Sequence, residues 1–147
     1  MKNVVIVTDS SSGISQAEAQ ANGLVVVPIP FTIDGKEYLE DKTITAPKFF
    51  DMIAKTDNVS TSQTSRYTLE ETWNKLLEEY EHIIYIPITS GLSGACYNAM
   101  EFAKSYNGRV HVVDLLRISV PLKVSIYEAS KMAELGKSVD EILQYLE

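Results

Sequence analysis

The residues able to do chemistry in this chain are mostly hydroxyls. Four polar stretches carry them: Thr8-Asp9-Ser10-Ser11-Ser12-Gly13, Ser60-Thr61-Ser62-Gln63-Thr64-Ser65, Thr89-Ser90-Gly91-Leu92-Ser93-Gly94, and the segment from Asp114 to Ser119. Titratable groups are scarce in them. The two histidines, His82 and His111, both fall at predicted strand starts, away from these loops, so neither is placed as a general base. Neither paired Cys/His spacing nor a loop cluster of carboxylates points to a metal, and nothing points to a cofactor. Asp9 follows a strand as a phosphoryl-transfer aspartate would. Ser11, however, stands where a D-x-D pattern needs its second carboxylate.

Gly91-Leu92-Ser93-Gly94-Ala95 lies between a predicted strand and helix, where a nucleophile elbow would lie, with Ala95 in place of the last glycine. A serine nucleophile needs a base within hydrogen-bond reach, and no histidine is assigned to this edge. A hydrolase or acyltransferase using Ser93 is therefore the alternative reading. The same geometry also makes an anion site: free backbone N–H groups at a helix start, a partial positive charge, and a serine hydroxyl. On spacing alone, an anion-binding Ser93 and one that merely caps its helix stand level.

The elements that must position these loops follow from hydrophobic patterning. Val4–Val7 and Ile83–Ile86 are short apolar runs of the kind buried on both faces of a sheet, and Val110–Val113 is a further strand. Leu24–Val27 is another, expected to continue through Pro28 to Ile33, with Asp34-Gly35 as a tight turn and Lys36–Leu39 returning at a sheet edge. Helices are expected over 15–22, from Thr45 with Pro47 in its first turn, after a Thr68/Glu71 capping box, over 95–105, and from Pro121 to Gly136. Phe49, Phe50 and Ile53 are the expected apolar face of the second. A final helix follows a Ser138/Glu141 box and carries the stripe Val139, Ile142, Leu143, Leu146. Strand and helix alternate, which implies an α/β fold with a mainly parallel sheet and helices on both faces. Ligands of such sheets bind beyond the carboxyl ends of the strands, where all four polar stretches should gather.

Composition sets the outer limits. The chain has 147 residues, 45% hydrophobic and 22% charged, as expected for one globular domain spanning 1–147. Lys and Arg number 13 against 20 Asp and Glu, a net charge of −7, with no basic cluster to suit a nucleic acid. No apolar run approaches the ~18 residues of a spanning helix, and no leader is recognisable, so a cytoplasmic protein that is not integral to a membrane is expected. The one cysteine, Cys96, reads as a small buried hydrophobe.

Several motifs, in order, resemble the DegV family. Val5-Ile6-Val7-Thr8-Asp9-Ser10-Ser11-Ser12 is similar to its opening strand and loop, and Val26-Val27-Pro28-Ile29 to its second strand. Thr61-Ser62-Gln63-Thr64-Ser65 is similar to its T-S-Q-P-S loop, with Thr64 for Pro. Ser90-Gly91-Leu92-Ser93-Gly94-Ala95-Cys96-Tyr97 is similar to its S-S-G-L-S-G-T-Y stretch. Val112-Val113-Asp114 and Tyr127-Glu128-Ala129 fall where its next strand and helix begin.

The resemblance implies a lipid-binding module and not an enzyme. Such proteins bind a long-chain fatty acid and act as the acyl carrier of a bacterial fatty-acid kinase system, whose kinase subunit phosphorylates the carboxylate. Carried over by position, Thr61 and Ser93 would hold the carboxylate, with Ser62 and the Gly94 N–H beside them. Ile29, Phe31 and Ile88 would line the acyl pocket. In the loop after Asp114, Arg117 and Ser119 would lie near the head group, although Pro121 and Lys123 replace family glycines there. Family members are about twice as long, so the chain is expected to be an N-terminal domain without the C-terminal lid. It would then bind fatty acid weakly or not at all alone. The final helix would pack on the sheet or, failing that, meet the missing domain or a second copy. A non-ligand interaction domain is the remaining alternative.

Overall fold

The computed structural model describes residues 1–39 and 42–147, apart from the side chains of Ala46 and Ser119. Strand β1 (Lys2–Asp9) is the centre of the chain's main sheet. Its run Val4–Val7 is β-branched and buried, which suits a strand covered on both faces. A 3-10 turn over Ser10–Ser12 follows, ending at Gly13 in the left-handed region (φ 74°). Helix α1 (Gln16–Ala21) starts on a capping box made by Ser15 and Glu18 and leads to β2 (Val25–Val27). Next come β3 (Pro30–Ile33), β4 (Lys36–Leu39), α2 (Ala46–Ile53), β5 (Val59–Thr61) and α3 (Arg66–Leu76). The chain continues with β6 (Tyr80–Ile86), α4 (Ala95–Ala103), β7 (Val110–Val112), α5 (Ser119–Glu134) and α6 (Val139–Leu146).

The main sheet has the order β2-β1-β6-β7, every pair parallel. One face packs Val4, Ile6, Val26, Ile84 and Ile86 against Ala19 of α1, Leu122, Ile126 and Ala129 of α5, and Ile142 and Leu146 of α6. The opposite face packs Val5, Val7, Ile83 and Tyr85 against Leu69 and Trp73 of α3 and Ala99 and Phe102 of α4. The expected α/β architecture is therefore present, with helices on both faces. Alternation along each strand delivers successive side chains to the two cores. The stripe on α6 is spent internally: Ile142 and Leu146 are buried, and Val139 and Leu143 pack beside them.

The expected hairpin about Asp34-Gly35 is present, with Lys36–Leu39 as the return strand, but it belongs to a separate antiparallel sheet, β4-β3-β5, whose third strand was not expected. This sheet has its own small core of Phe31, Ile33 and Ile44, packed by Tyr38, Phe49, Met52 and Ile53. The long second strand expected over 24–33 is thus two strands in two sheets. Pro28 and Pro30 cannot donate to a ladder, and the N–H of Ile29 between them donates to Ser10 Oγ (2.9 Å), so the chain leaves the parallel sheet there. Strand β5 consists of three exposed residues with no apolar alternation to announce it.

Three further expectations are corrected. Helix α3 is capped by Ser65, whose Oγ accepts the Thr68 N–H at 3.1 Å, so Thr68 lies inside the first turn and the Thr68/Glu71 box does not form. Phe50 is 64% exposed and only edges against Phe49; Phe49 and Ile53 face the small core without it. Helix α5 begins at Ser119, two residues before Pro121, because proline is tolerated in a first turn where its missing N–H has no intrahelical partner.

Candidate functional site

The polar stretches meet beyond the carboxyl ends of the main sheet, and the first is spent on joining the others. Thr8 Oγ1 donates to the Ile86 carbonyl at 2.7 Å. Asp9 is buried at the end of β1, and its Oδ2 accepts the Ile88 N–H at 2.7 Å. Its Oδ1 accepts the Ser11 N–H at 3.0 Å and the Ser11 hydroxyl. Burial pushes the Asp9 carboxyl above its usual range, although the bonds from Ser11 and Ile88 pull the other way. Ser12 Oγ donates to the Asp9 carbonyl (3.0 Å) and accepts from the Ile14 N–H (3.3 Å). With both oxygens engaged, Asp9 reads as a tie between β1 and the loop after β6.

The fourth stretch is tied to the third through Asp114. Its Oδ1 accepts from Thr89 Oγ1 (3.3 Å), the Ser90 N–H (3.4 Å) and the Leu116 N–H (3.2 Å). Partial burial raises the Asp114 pKa, but the bonds from Ser90, Leu116 and Thr89 outweigh it and hold the carboxyl below its usual value. Arg117 does not point a free charge at the loops. Its Nη1 donates to Ser125 Oγ at 2.5 Å, and Ser125 Oγ in turn donates to the Pro121 carbonyl at 3.1 Å. The Ser119 side chain lies outside the described residues. Lys123 is paired with Glu18 of α1 at 2.9 Å.

The second and third stretches come together directly. Thr61 ends β5 opposite Phe31 and is exposed, and the Ser62 N–H donates to the Pro30 carbonyl at 3.1 Å. Gln63 then reaches the start of α4. Its Oε1 accepts from Asn98 Nδ2 at 2.7 Å, and its Nε2 would stand 3.4 Å from a Cβ built on Gly94. Ser93 is half-buried, and its Oγ accepts the Ala95 N–H at 3.1 Å, so it does serve the helix start. Gly94 itself is the N-cap and makes no side-chain bond. Among the described residues no histidine hydrogen-bonds Ser93. His111 Nε2 lies 3.4 Å from His82 Nδ1, and the lowered pKa of His111 follows from burial and then from His82.

The expected pocket residues divide. Ile29 and Ile88 are half-buried and flank the end of β1, through Ser10 and Asp9 respectively. Phe31 is in the small core, stacked on Tyr38 and edge-on to Phe49. Two concavities border the Gln63 loop. One, of about 650 Å³, lies between α3 and α4 and is lined by Gln63, Ser65, Leu69, Asn98, Ala99 and Phe102 among others. The other, of about 770 Å³, lies between β2, the antiparallel sheet and α3. Apolar Val25–Pro28, Pro30, Leu39 and Leu76 line it together with polar Ser62, Gln63 and Thr64 and the charged side chains of Glu37, Lys42, Glu71 and Lys75. Both have the size of small-molecule sites, ~300–1,000 Å³. Gln63, Asn98 and the Val25–Pro28 wall are absent from the residues picked out in the sequence. Only the amide standing within a run of hydroxyls could have signalled Gln63.

Cys96 is buried, and burial, then the charges of Asp114 and Asp9, push its thiol up to about 11, an unreactive value. Among the described residues no group of three or more His, Cys, Asp or Glu could hold a metal, and no helix is long and apolar enough to cross a membrane.

Comparison with known proteins matches this architecture. Over 146 residues the chain is 32% identical to a DegV domain-containing protein of Staphylococcus aureus, which covers 99% of this chain and 52% of that protein. It is 33% identical over 135 residues to a DegV domain-containing 15.5 kDa protein of Staphylococcus aureus, covering 92% of this chain and 94% of that one. Apart from that shorter protein, the chain spans about half the length of these curated relatives. Among solved structures, a Thermus thermophilus DegV family protein described by its fatty-acid binding superposes with a TM-score of 0.87 at 29% identity, over 98% of this chain and 52% of that one. DegV of Bacillus subtilis, described as a fatty-acid-binding protein, superposes with a TM-score of 0.88 at 21% identity over 99% of this chain and 53% of that one, a likeness of fold. The family described as "uncharacterised protein, DegV family" matches residues 3–147, and the chain belongs to it.

Proposed function

We propose that this domain binds a long-chain fatty acid and holds its carboxylate at the meeting point of the second and third polar loops. The Thr61 and Ser93 hydroxyls are the principal donors, with Ser62 and the Gly94 N–H beside them. The observation that carries this reading is the convergence of donors without a base. Gln63 joins the loop of Thr61 and Ser62 to Asn98 of α4 and stands beside Gly94, and no histidine hydrogen-bonds Ser93 among the described residues. A carboxylate leaving water needs several donors, since a buried unpaired charge is very costly. Hydroxyls and a helix start supply them without promoting reaction. The fatty-acid binding described for the Thermus thermophilus relative supports the same ligand class.

On this reading Ile29, Ile88 and Phe31 line the acyl path, the first two beside the end of β1. The apolar wall of Val25–Pro28 extends that path. Burial of the tail supplies ~0.8 kcal/mol per methylene. On this reading Arg117, and Ser119 at the start of α5, lie near the head group, and Arg117 contributes charge once it releases Ser125. The domain does no chemistry itself; it presents the carboxylate to a kinase partner. The chain spans about half the length of its longer relatives, and on this reading the remaining half would close the site, so this domain alone binds weakly. Native mass spectrometry of the purified protein tests the reading. A co-purified fatty acid that disappears in Thr61→Val/Ser93→Ala supports it, and Ser93-dependent ester hydrolysis without bound lipid would replace it with a hydrolase.

A further inference from the structure

Gln63 is more than a link between two loops. The bond from Asn98 Nδ2 to Gln63 Oε1, 2.7 Å, fixes which end of the Gln63 amide faces which way. The carbonyl end is consumed by α4, so the NH₂ end is turned toward the open side of Gly94, 3.4 Å from where a Cβ would stand. That NH₂ group makes no hydrogen bond within the protein among the described residues, and Gln63 itself is exposed. The amide is thus an oriented donor with its acceptor side already occupied. It lies over the same loop that carries Ser93, in the same turn of chain as Thr61. A methyl group at position 94 would meet Nε2 at 3.4 Å, about van der Waals contact.

We propose that Gln63 Nε2 is a direct donor to the ligand's carboxylate, and that Asn98 is the residue that positions it. This rests on the fatty-acid reading of the Thr61/Ser93 site and adds a recognition residue to it. An amide donor adds no charge and no base, so it strengthens anion binding without inviting hydrolysis. It also favours a carboxylate over an alcohol or an ester of the same chain, because a hydrogen bond to a charged acceptor is the stronger one.

The test is a titration of the isotope-labelled protein with palmitate, following the Gln63 side-chain amide protons and the backbone amides of Ser93 and Gly94. Palmitate is expected to move all three, the Gln63 protons downfield. Gln63→Met should bind about tenfold more weakly, as loss of one hydrogen bond to a charged group predicts, with an unchanged melting temperature. Gln63→Glu keeps an acceptor for Asn98 and the contact between loops but places a negative oxygen where the donor was. It should bind more weakly still, whereas a purely structural Gln63 would be replaced without loss. If Ser93 and Gly94 shift but Gln63→Glu binds like the unsubstituted protein, the donor role is overturned and the carboxylate site stands. If Ser93 and Gly94 do not shift in the unsubstituted protein, the site and the donor role fall together.

Discussion

Asp9 Oδ2 accepts the backbone N–H of Ile88 at 2.7 Å, and this single bond fastens the end of β1 to the loop that carries Ser93. The carboxylate is 1% exposed, with its other oxygen held by Ser11. Its value to the fold is to keep two neighbouring strand ends, and the loops they launch, in fixed relation.

Replacing Asp9 by Ala should cost about 1–3 kcal/mol, because the Ile88 and Ser11 donors are left unpaired in a buried place. The pH dependence has a definite sign. Burial raises the folded-state pKa above 3.8, so the folded protein binds the proton more readily than the unfolded chain. Stability from this group is therefore present at low pH and is lost as pH rises through the raised value. Urea unfolding should show the natural protein losing ground relative to Asp9→Asn over that interval.

Glu18 should behave in the opposite way. Lys123 at 2.9 Å, then the Tyr127 hydroxyl at 2.9 Å and the Ser15 N–H, lower its pKa from 4.5 to about 2. A depressed carboxyl stabilises the fold above its unfolded pKa and loses that contribution as pH falls through the folded one. Thermal melts should show a slope between pH 4.5 and about 2 that Glu18→Gln flattens. The group is exposed, so the slope should shrink in high salt.

Trp73 is fully buried between Tyr85, Phe102 and Tyr106, yet its indole N–H has no hydrogen-bond partner among the described residues. Its worth lies in volume and ring contacts. Trp73→Ala should cost about 3–5 kcal/mol in denaturant unfolding, and Trp73→Phe clearly less, since the lost N–H was satisfying nothing.

The main sheet was legible because β-branched runs and helix caps speak locally. Val4–Val7, Ile83–Ile86 and the Ser138/Glu141 box each specify their element without help from distant residues. The hairpin of β3 and β4 was legible through Asp34-Gly35, but β5 was not, because it is held by pairing with β3 and carries no apolar period of its own. The helix cap at Ser65 was misplaced for a related reason. Ser65 and Thr68 are both competent caps, and the choice between them depends on where the chain turns after β5. At the site, Ser93 and Gly94 stood out through their spacing. Gln63 did not, because its importance comes from Asn98, 35 positions away, which orients its amide.

On the proposed function, hydroxyls on two loops hold a fatty-acid carboxylate. Equilibrium titration with palmitate, beside hexadecanol, tests it most directly. Weak, saturable binding of palmitate to this chain is expected, with weaker binding of the alcohol and loss of palmitate binding in Thr61→Val/Ser93→Ala with the fold intact. Palmitate binding unaffected by the double substitution, or equal affinity for the alcohol, would contradict it.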